Sequence, residues 1–343
     1  MTQTTDAALG SLVKAASSHA ADLSLDNRLA EAQALLKDDL SWIEEALREA
    51  AQPGPAPAVN AARHLIETGG KRVRPMALLL ASACFGPVPE ASRQLAVCVE
   101  LIHSATLLHD DVIDEGTERR GREAARMVWG NAVSVLSGDL LLTHSLLTAQ
   151  REAPALMPGL LHMLRRLVEG EIVQLRGRSE LEVSEDVYAA ILRDKTAALF
   201  RFATGAGAQL AGASPRAQSL LGDFGESIGM AFQLVDDLLD YSGGGTGKTM
   251  FADLRQGKLT LPLVLAVREQ PALLDRLREI RAGDQSQVSV LRESVIGSGA
   301  CQRVKARALG HTTRATEYLE QLPASPARTL LTAVAQQLAE RSR

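Results

Sequence analysis

The chain has 343 residues, 46% of them hydrophobic and only 3% aromatic, which is enough for one large core or two modest ones. Its 41 acidic residues outnumber 37 basic ones and leave a formal charge of −4 with no long basic block, which argues against a general nucleic-acid binder. Cys84, Cys98 and Cys301 lie far apart without metal-ligand spacing, so they read as buried thiols of a cytoplasmic protein, not as a disulfide framework.

Residues 1 to about 25 are rich in Ala, Ser and Thr with little periodicity, and read as a disordered tail or a frayed first helix. MTQTTDAALG lacks a basic start followed by an apolar segment, and no later run approaches the ~18 apolar residues needed to span a bilayer. Neither an export signal nor a transmembrane segment is expected. From residue 26 to 343 the pattern is helical almost everywhere, with apolar residues three and four apart and alternating runs scarce. LAEAQALLKDDLSWIEEALREA (29–50) is an amphipathic helix ended by the proline-rich AQPGPAPA. Later breaks fall at FGPVPE (85–90), GTERRG (116–121), REAPALMPG (151–159), GASPR (212–216), SGGGTG (242–247), REQPA (268–272) and QLPASP (321–326). None is a long polar linker, so a single all-α domain is expected.

Two stretches echo one another. TLLHDDVIDEG (106–116) and FQLVDDLLDYSG (232–243) each place DDxxD after an apolar helical run and before a glycine-containing loop. Residues i and i+4 share a helix face, so Asp110 and Asp114 project together, as do Asp236 and Asp240. Carboxylates at the end of a helix oppose its macrodipole, and several converging on one cleft would repel strongly unless cations intervene. Oxygen ligands at this spacing suit Mg²⁺, which binds through one or two carboxylates plus substrate phosphates. Basic residues beside turns supply the phosphate contacts: GGKRVRP (69–75), ERRGR (118–122), RDKT (193–196) and GKTMFADLRQGKLTLP (247–262). SGGGTGKT is not a P-loop, because Ser242 takes the place of the first glycine and an acidic helix precedes it.

In this combination and order, GGKRVRP, ELIHSATLLHDDVIDEGTERRG, WGN with LSGDLLL, GEIVQL, KTAALF, FQLVDDLLDYSG, GK and DLRQGKLTLP resemble the trans-isoprenyl diphosphate synthases, or polyprenyl synthetases. The resemblance is close over roughly residues 55 to 265 and implies a multi-helix bundle around a central cavity. It also implies head-to-tail condensation of isopentenyl diphosphate with an allylic prenyl diphosphate. Breaking the allylic C–O bond leaves a carbocation and a multiply charged diphosphate, which preorganised cations must stabilise.

Carried onto this chain, the resemblance makes Asp110, Asp114 and Asp236 direct Mg²⁺ ligands, with Asp111, Asp237 and Asp240 completing the catalytic carboxylates. Arg119, Lys195 and Lys248, with Lys258 close by, are implied contacts to the allylic diphosphate. Lys71, Arg74, His103 and Arg120 are the implied cradle for isopentenyl diphosphate, and Thr196 and Gln233 line the reaction centre. Ala105 and Thr106 stand five and four residues before Asp110, about 6 to 7.5 Å down the helix. Small residues there leave the product tunnel open in the family, which implies a medium or long polyprenyl chain. A floor elsewhere, at Leu101, Ile102 or LLTHSLL (141–147), or a shorter geranylgeranyl or farnesyl product, is the alternative. A terpene cyclase would not need GGKRVRP and His103, and a non-catalytic subunit of a heteromeric synthase would lack the aspartate clusters. A homodimer is expected. Two departures from the family pattern, Arg126 before WGN and Phe251 in the GK-to-DL loop, bear on loop geometry.

Overall fold

The computed structural model describes residues 23–340 except 53, 71, 182 and 243–258, with no side-chain description for 23–34, 178, 179, 242, 339 and 340. The described residues are almost entirely helical, as the periodicity predicts. The chain forms two compact units: Met1–Leu160, Ala203–Gly222 and Leu322–Ala333 make the first, and Leu161–Phe202, Asp223–Gln321 and Val334–Arg343 the second.

In the first unit α1 (Leu23–Ala50), α2 (Ala56–Glu67) and α3 (Val73–Ala83) surround α4 (Glu90–Ile113), which also packs along α5 (Ala125–Glu152). Helix α2 starts inside AQPGPAPA, earlier than the proline run suggests, because Pro57 falls in the first turn where no N–H is missed. Helix α4 is buried on most of its circumference: Leu95, Ala96, Cys98, Val99, Leu101, Ile102, Ala105 and Leu108 are all within the core. Burying each such aliphatic side chain contributes roughly 1.5–3 kcal/mol, so this helix is the mechanical reference for everything at its end.

Helix α5 meets α4 through small residues. Ser134 Oγ donates to Leu108 O at 3.0 Å and Ser145 Oγ to Cys98 O at 3.1 Å. A Cβ on Gly138 would sit 3.1 Å from Ala105 O, so the two backbones run close together. Among the described residues α5 is long and apolar enough to cross a membrane by length and composition alone, with 39% of its apolar stretch buried. The hydroxyls and glycine facing α4 interrupt the apolar run in sequence, while its outer face carries exposed Leu136 and Leu147.

In the second unit lie most of α6 (Met157–Glu180), α7 (Glu185–Ile191), a π-helical segment (Leu192–Ala197) and most of α9 (Pro215–Ser242). Helices α10 (Leu261–Glu269), α11 (Leu273–Arg281), α12 (Gln287–Gly297) and α13 (Ala300–Glu320) pack on one another beside them. Helices α8 (Ala198–Leu210) and α14 (Pro326–Glu340) complete the chain. Ser184 caps α7 by accepting Val187 N–H at 3.3 Å, with Glu185 and Asp186 in the first turn favoured by the helix dipole.

Candidate active site

Helix α4 ends at the first aspartate motif. Asp114 is its C-cap, Glu115 takes a left-handed φ of 53°, and Gly116 N–H returns 2.9 Å to Asp111 O, a Schellman arrangement with glutamate in the usual glycine place. Asp110 and Asp114 are half-buried, whereas Asp111 is 1% exposed. Asp111 Oδ1 accepts from Arg119 Nε at 2.9 Å and Nη2 at 2.5 Å, so Arg119 reaches the site already tied to the motif. Arg126 is also engaged here: Nη1 donates to Gly116 O and Nε to Asn131 Oδ1, both at 3.1 Å, which links the turn after the acids to the WGN segment.

Arg119 and Arg120 lie on a small antiparallel hairpin where the sequence predicts only a break. Strands Glu118–Arg119 and Arg122–Glu123 pair across a two-residue turn, Arg120–Gly121, with φ values of 53° and 76°, the pattern of a type I′ hairpin. Arg120 Nη1 donates to Gly69 O. Across from it, Arg72 is 4% exposed and also left-handed, at φ 45°. Its guanidinium donates to Glu44 Oε1 at 2.6 Å, Glu44 Oε2 at 3.2 Å, Glu100 Oε1 at 2.8 Å and Ile66 O at 3.2 Å. Burial works against its charge, but Glu44 and Glu100 outweigh burial and raise the pKa.

These anchors surround His103 with cations. Burial, then Arg74, Arg120, Arg119 and Arg72, hold the imidazole well below its ordinary range, so His103 is neutral at pH 7. Arg74 is pushed down to about 10 by burial, with Glu100 opposing. Arg120 is lowered by burial too. A cluster this rich in guanidinium suits an anion. Gly70 is squeezed within it: a Cβ there would lie 2.9 Å from Arg120 Nη1 and 3.0 Å from Arg72 Nη1. Gly70→Ala should therefore displace Arg120, the more exposed neighbour, and raise KM for the isopentenyl diphosphate that the family resemblance assigns to this cluster about tenfold, the loss of one charge-assisted hydrogen bond. Steady-state kinetics with the second substrate saturating would measure it.

In the second unit the second motif repeats the first. Asp237 is 4% exposed while Asp236 and Asp240 are half-buried. Asp237 accepts from Tyr188 Oη and, at 3.0 Å, from Gln233 Nε2. Gln233 Oε1 accepts from Thr196 Oγ1 at 3.3 Å. Lys195 Nζ donates to Gln174 Oε1 at 2.8 Å and is ion-paired with Glu171. Lys195 and Thr196 occupy the π-helical segment, a local geometry frequent at functional sites. Two glycines make room for it: a Cβ on Gly170 would be 3.0 Å from Lys195 N, and one on Gly229 would be 2.7 Å from Ala197 Cα.

Of the chain-length positions, Thr106 is half-buried on the same face of α4 as His103 and Asp110, with its hydroxyl on His103 O at 2.8 Å. Ala105 is 2% exposed against α5. Lys71, Lys248, Lys258 and Phe251 lie outside the described residues. Among the described residues no three His, Cys, Asp or Glu side chains form a cage that could hold a metal ion. Sequence reasoning missed the roles of Arg72, Glu44, Glu100, Tyr188, Glu171 and Gln174; Arg72 stands inside GGKRVRP, Glu100 inside ELIHSATLLHDDVIDEGTERRG and Glu171 and Gln174 inside GEIVQL, whereas Tyr188 stands in no motif.

The sequence profile of the family described as Polyprenyl synthetase matches residues 56–296. An all-trans-nonaprenyl-diphosphate synthase (geranyl-diphosphate specific) of Rhodobacter capsulatus is 36% identical over 301 residues, 85% of this chain and 92% of the relative. The octaprenyl diphosphate synthase of Escherichia coli K12 is 35% identical over 287 residues, 82% of this chain and 88% of the relative. A crystal structure of a polyprenyl synthase from Caulobacter crescentus, complexed with calcium and isoprenyl diphosphate, superposes with a TM-score of 0.85 at 37% identity, covering 93% of this chain and 98% of that one. The chain belongs to the polyprenyl synthetase family and, like its relatives, is a prenyltransferase with an all-α fold.

Proposed function

We infer that the protein condenses isopentenyl diphosphate head to tail with an allylic prenyl diphosphate and builds a medium- or long-chain all-trans polyprenyl diphosphate. The observation that carries this reading is the cluster of Arg72, Arg74, Arg119 and Arg120 around His103 at the acid-capped end of α4. There Lys71, Arg74, His103 and Arg120 hold the isopentenyl diphosphate, a neutral imidazole being able to donate to a phosphate oxygen without carrying charge. Arg119, Lys195, Lys248 and Lys258 bind the allylic diphosphate. The names of the nonaprenyl and octaprenyl relatives favour a long product. Thr106, on the His103 face of α4, and Ala105 behind it act on its length.

Asp110 and Asp114 on α4 and Asp236 on α9 are the proposed ligands of Mg²⁺. A donor set made only of carboxylates fits a hard divalent ion that shares its coordination with phosphate oxygens, and calcium accompanies isoprenyl diphosphate in the Caulobacter structure. When bound, the ion neutralises the departing diphosphate. The allylic C–O bond breaks, the isopentenyl double bond attacks the cation to form the new C–C bond, and the proton lost to restore a double bond passes to the released diphosphate. The Thr196 and Gln233 oxygens face the cation through their dipoles.

The protein works as a homodimer, since α5 presents an apolar face with Leu136 59% and Leu147 66% exposed. Free Cys84, Cys98 and Cys301 favour a cytoplasmic setting. Incubating the purified protein with farnesyl diphosphate, labelled isopentenyl diphosphate and Mg²⁺ should give products longer than geranylgeranyl on chromatography after dephosphorylation. Excess EDTA should abolish incorporation. No incorporation by the chain alone, or full turnover in chelator, would sink the reading.

A further inference from the structure

We propose that Tyr188 is a positioning residue that fixes the second aspartate motif and the Gln233 amide through Asp237, an inference that rests on the prenyltransferase reading above. Tyr188 belongs to α7 and is 7% exposed. Its hydroxyl donates to Asp237 Oδ2, so one side chain ties α7 to the acidic end of α9.

The chain of bonds continues with a fixed polarity. A carboxylate only accepts, so Gln233 must turn its NH₂ toward Asp237 Oδ1, at 3.0 Å. That leaves Gln233 Oε1 directed at Thr196 Oγ1, at 3.3 Å. Gln233 carries the oxygen that would face the carbocation, and its orientation follows from Asp237. Asp236 and Asp240 flank Asp237 near the end of α9, so a shift of the helix end that took Asp237 away from Tyr188 would carry them with it. The side chains in this relay come from α7, the π-helical segment and α9, elements that no motif of the sequence joins.

The test is Tyr188→Phe in the full-length enzyme, which keeps every ring atom and removes only the hydroxyl. Calorimetric titration of inorganic pyrophosphate in saturating Mg²⁺ should show binding weaker by about tenfold, the low end of the scale for losing a hydrogen bond that supports a metal site from outside its ligands. The Mg²⁺ concentration giving half the maximal rate should rise by a similar factor, while metal-free binding of isopentenyl diphosphate stays unchanged. Asp237→Asn should lose at least as much pyrophosphate affinity, and the double variant no more than Asp237→Asn alone. Wild-type pyrophosphate binding by Tyr188→Phe, or losses that multiply in the double variant, would overturn the proposal. A wild-type enzyme that fails to bind Mg²⁺-pyrophosphate would instead overturn the prenyltransferase reading.

Discussion

Asp110→Asn combined with Asp114→Asn is expected to lower kcat by about 10³-fold or more, because a Lewis-acid ion at a departing diphosphate supplies several kcal/mol and each 1.36 kcal/mol is a factor of ten. The same pair of substitutions should leave thermal stability unchanged or slightly higher. Both carboxylates sit in the last turn of α4, where negative charge opposes the macrodipole by about 0.3–1 kcal/mol each and the i,i+4 pair repels by a few tenths. Structural acids would do the opposite, losing stability while catalysis survived. Measuring kcat and the melting temperature on one preparation separates the two. A variant that melted several degrees lower yet turned over normally would show that these carboxylates serve the fold.

This opposition of stability and function is what made the motif legible. Acids at a helix C-terminus after an apolar run are locally unfavourable, so two copies signal chemistry before any fold is known. The division of labour within each motif was less visible. In both, the middle residue turns inward and is buried, Asp111 onto Arg119 and Asp237 onto Tyr188 and Gln233. A signal for this existed, because Asp111 lies three residues after buried Leu108 and Asp237 three after buried Leu234, which puts each on the core stripe of its helix.

Other features left no trace in the sequence. Two-residue strands are too short for alternation to register, and Arg120–Gly121 is a less obvious type I′ turn than Asn–Gly, so the hairpin read as a loop. The π-helical segment came from a register shift that helical periodicity cannot report. Tyr188 meets Asp237 across 49 residues, a contact that only the tertiary fold creates. The apolar outer face of α5 was hidden because serine, threonine and glycine on its inner face break the run.

Arg72 is the sharpest case, since GGKRVRP offers bases of equal appearance and the fold gives its two arginines different work. Arg72→Met is expected to destabilise the protein by about 3–5 kcal/mol, the cost of leaving buried charge without its partner. Glu100 has a side chain only 4% exposed and Glu44 one 19% exposed, and both lose the guanidinium that compensates them. Methionine fills the volume but satisfies neither carboxylate nor the Ile66 carbonyl. Arg72→Lys should recover only part of the loss, because one ammonium cannot reproduce four hydrogen bonds from three guanidinium nitrogens. Function should suffer beyond stability: with Arg72 gone, Glu100 is left to Arg74 and Arg120, both of which already feel its charge, and draws them from the diphosphate. Urea unfolding gives the stability loss, and KM for isopentenyl diphosphate at a temperature where the variant is still folded gives the rest. A loss below about 1 kcal/mol, within the range of an ordinary surface ion pair, would mean that Glu44 and Glu100 do not depend on this arginine.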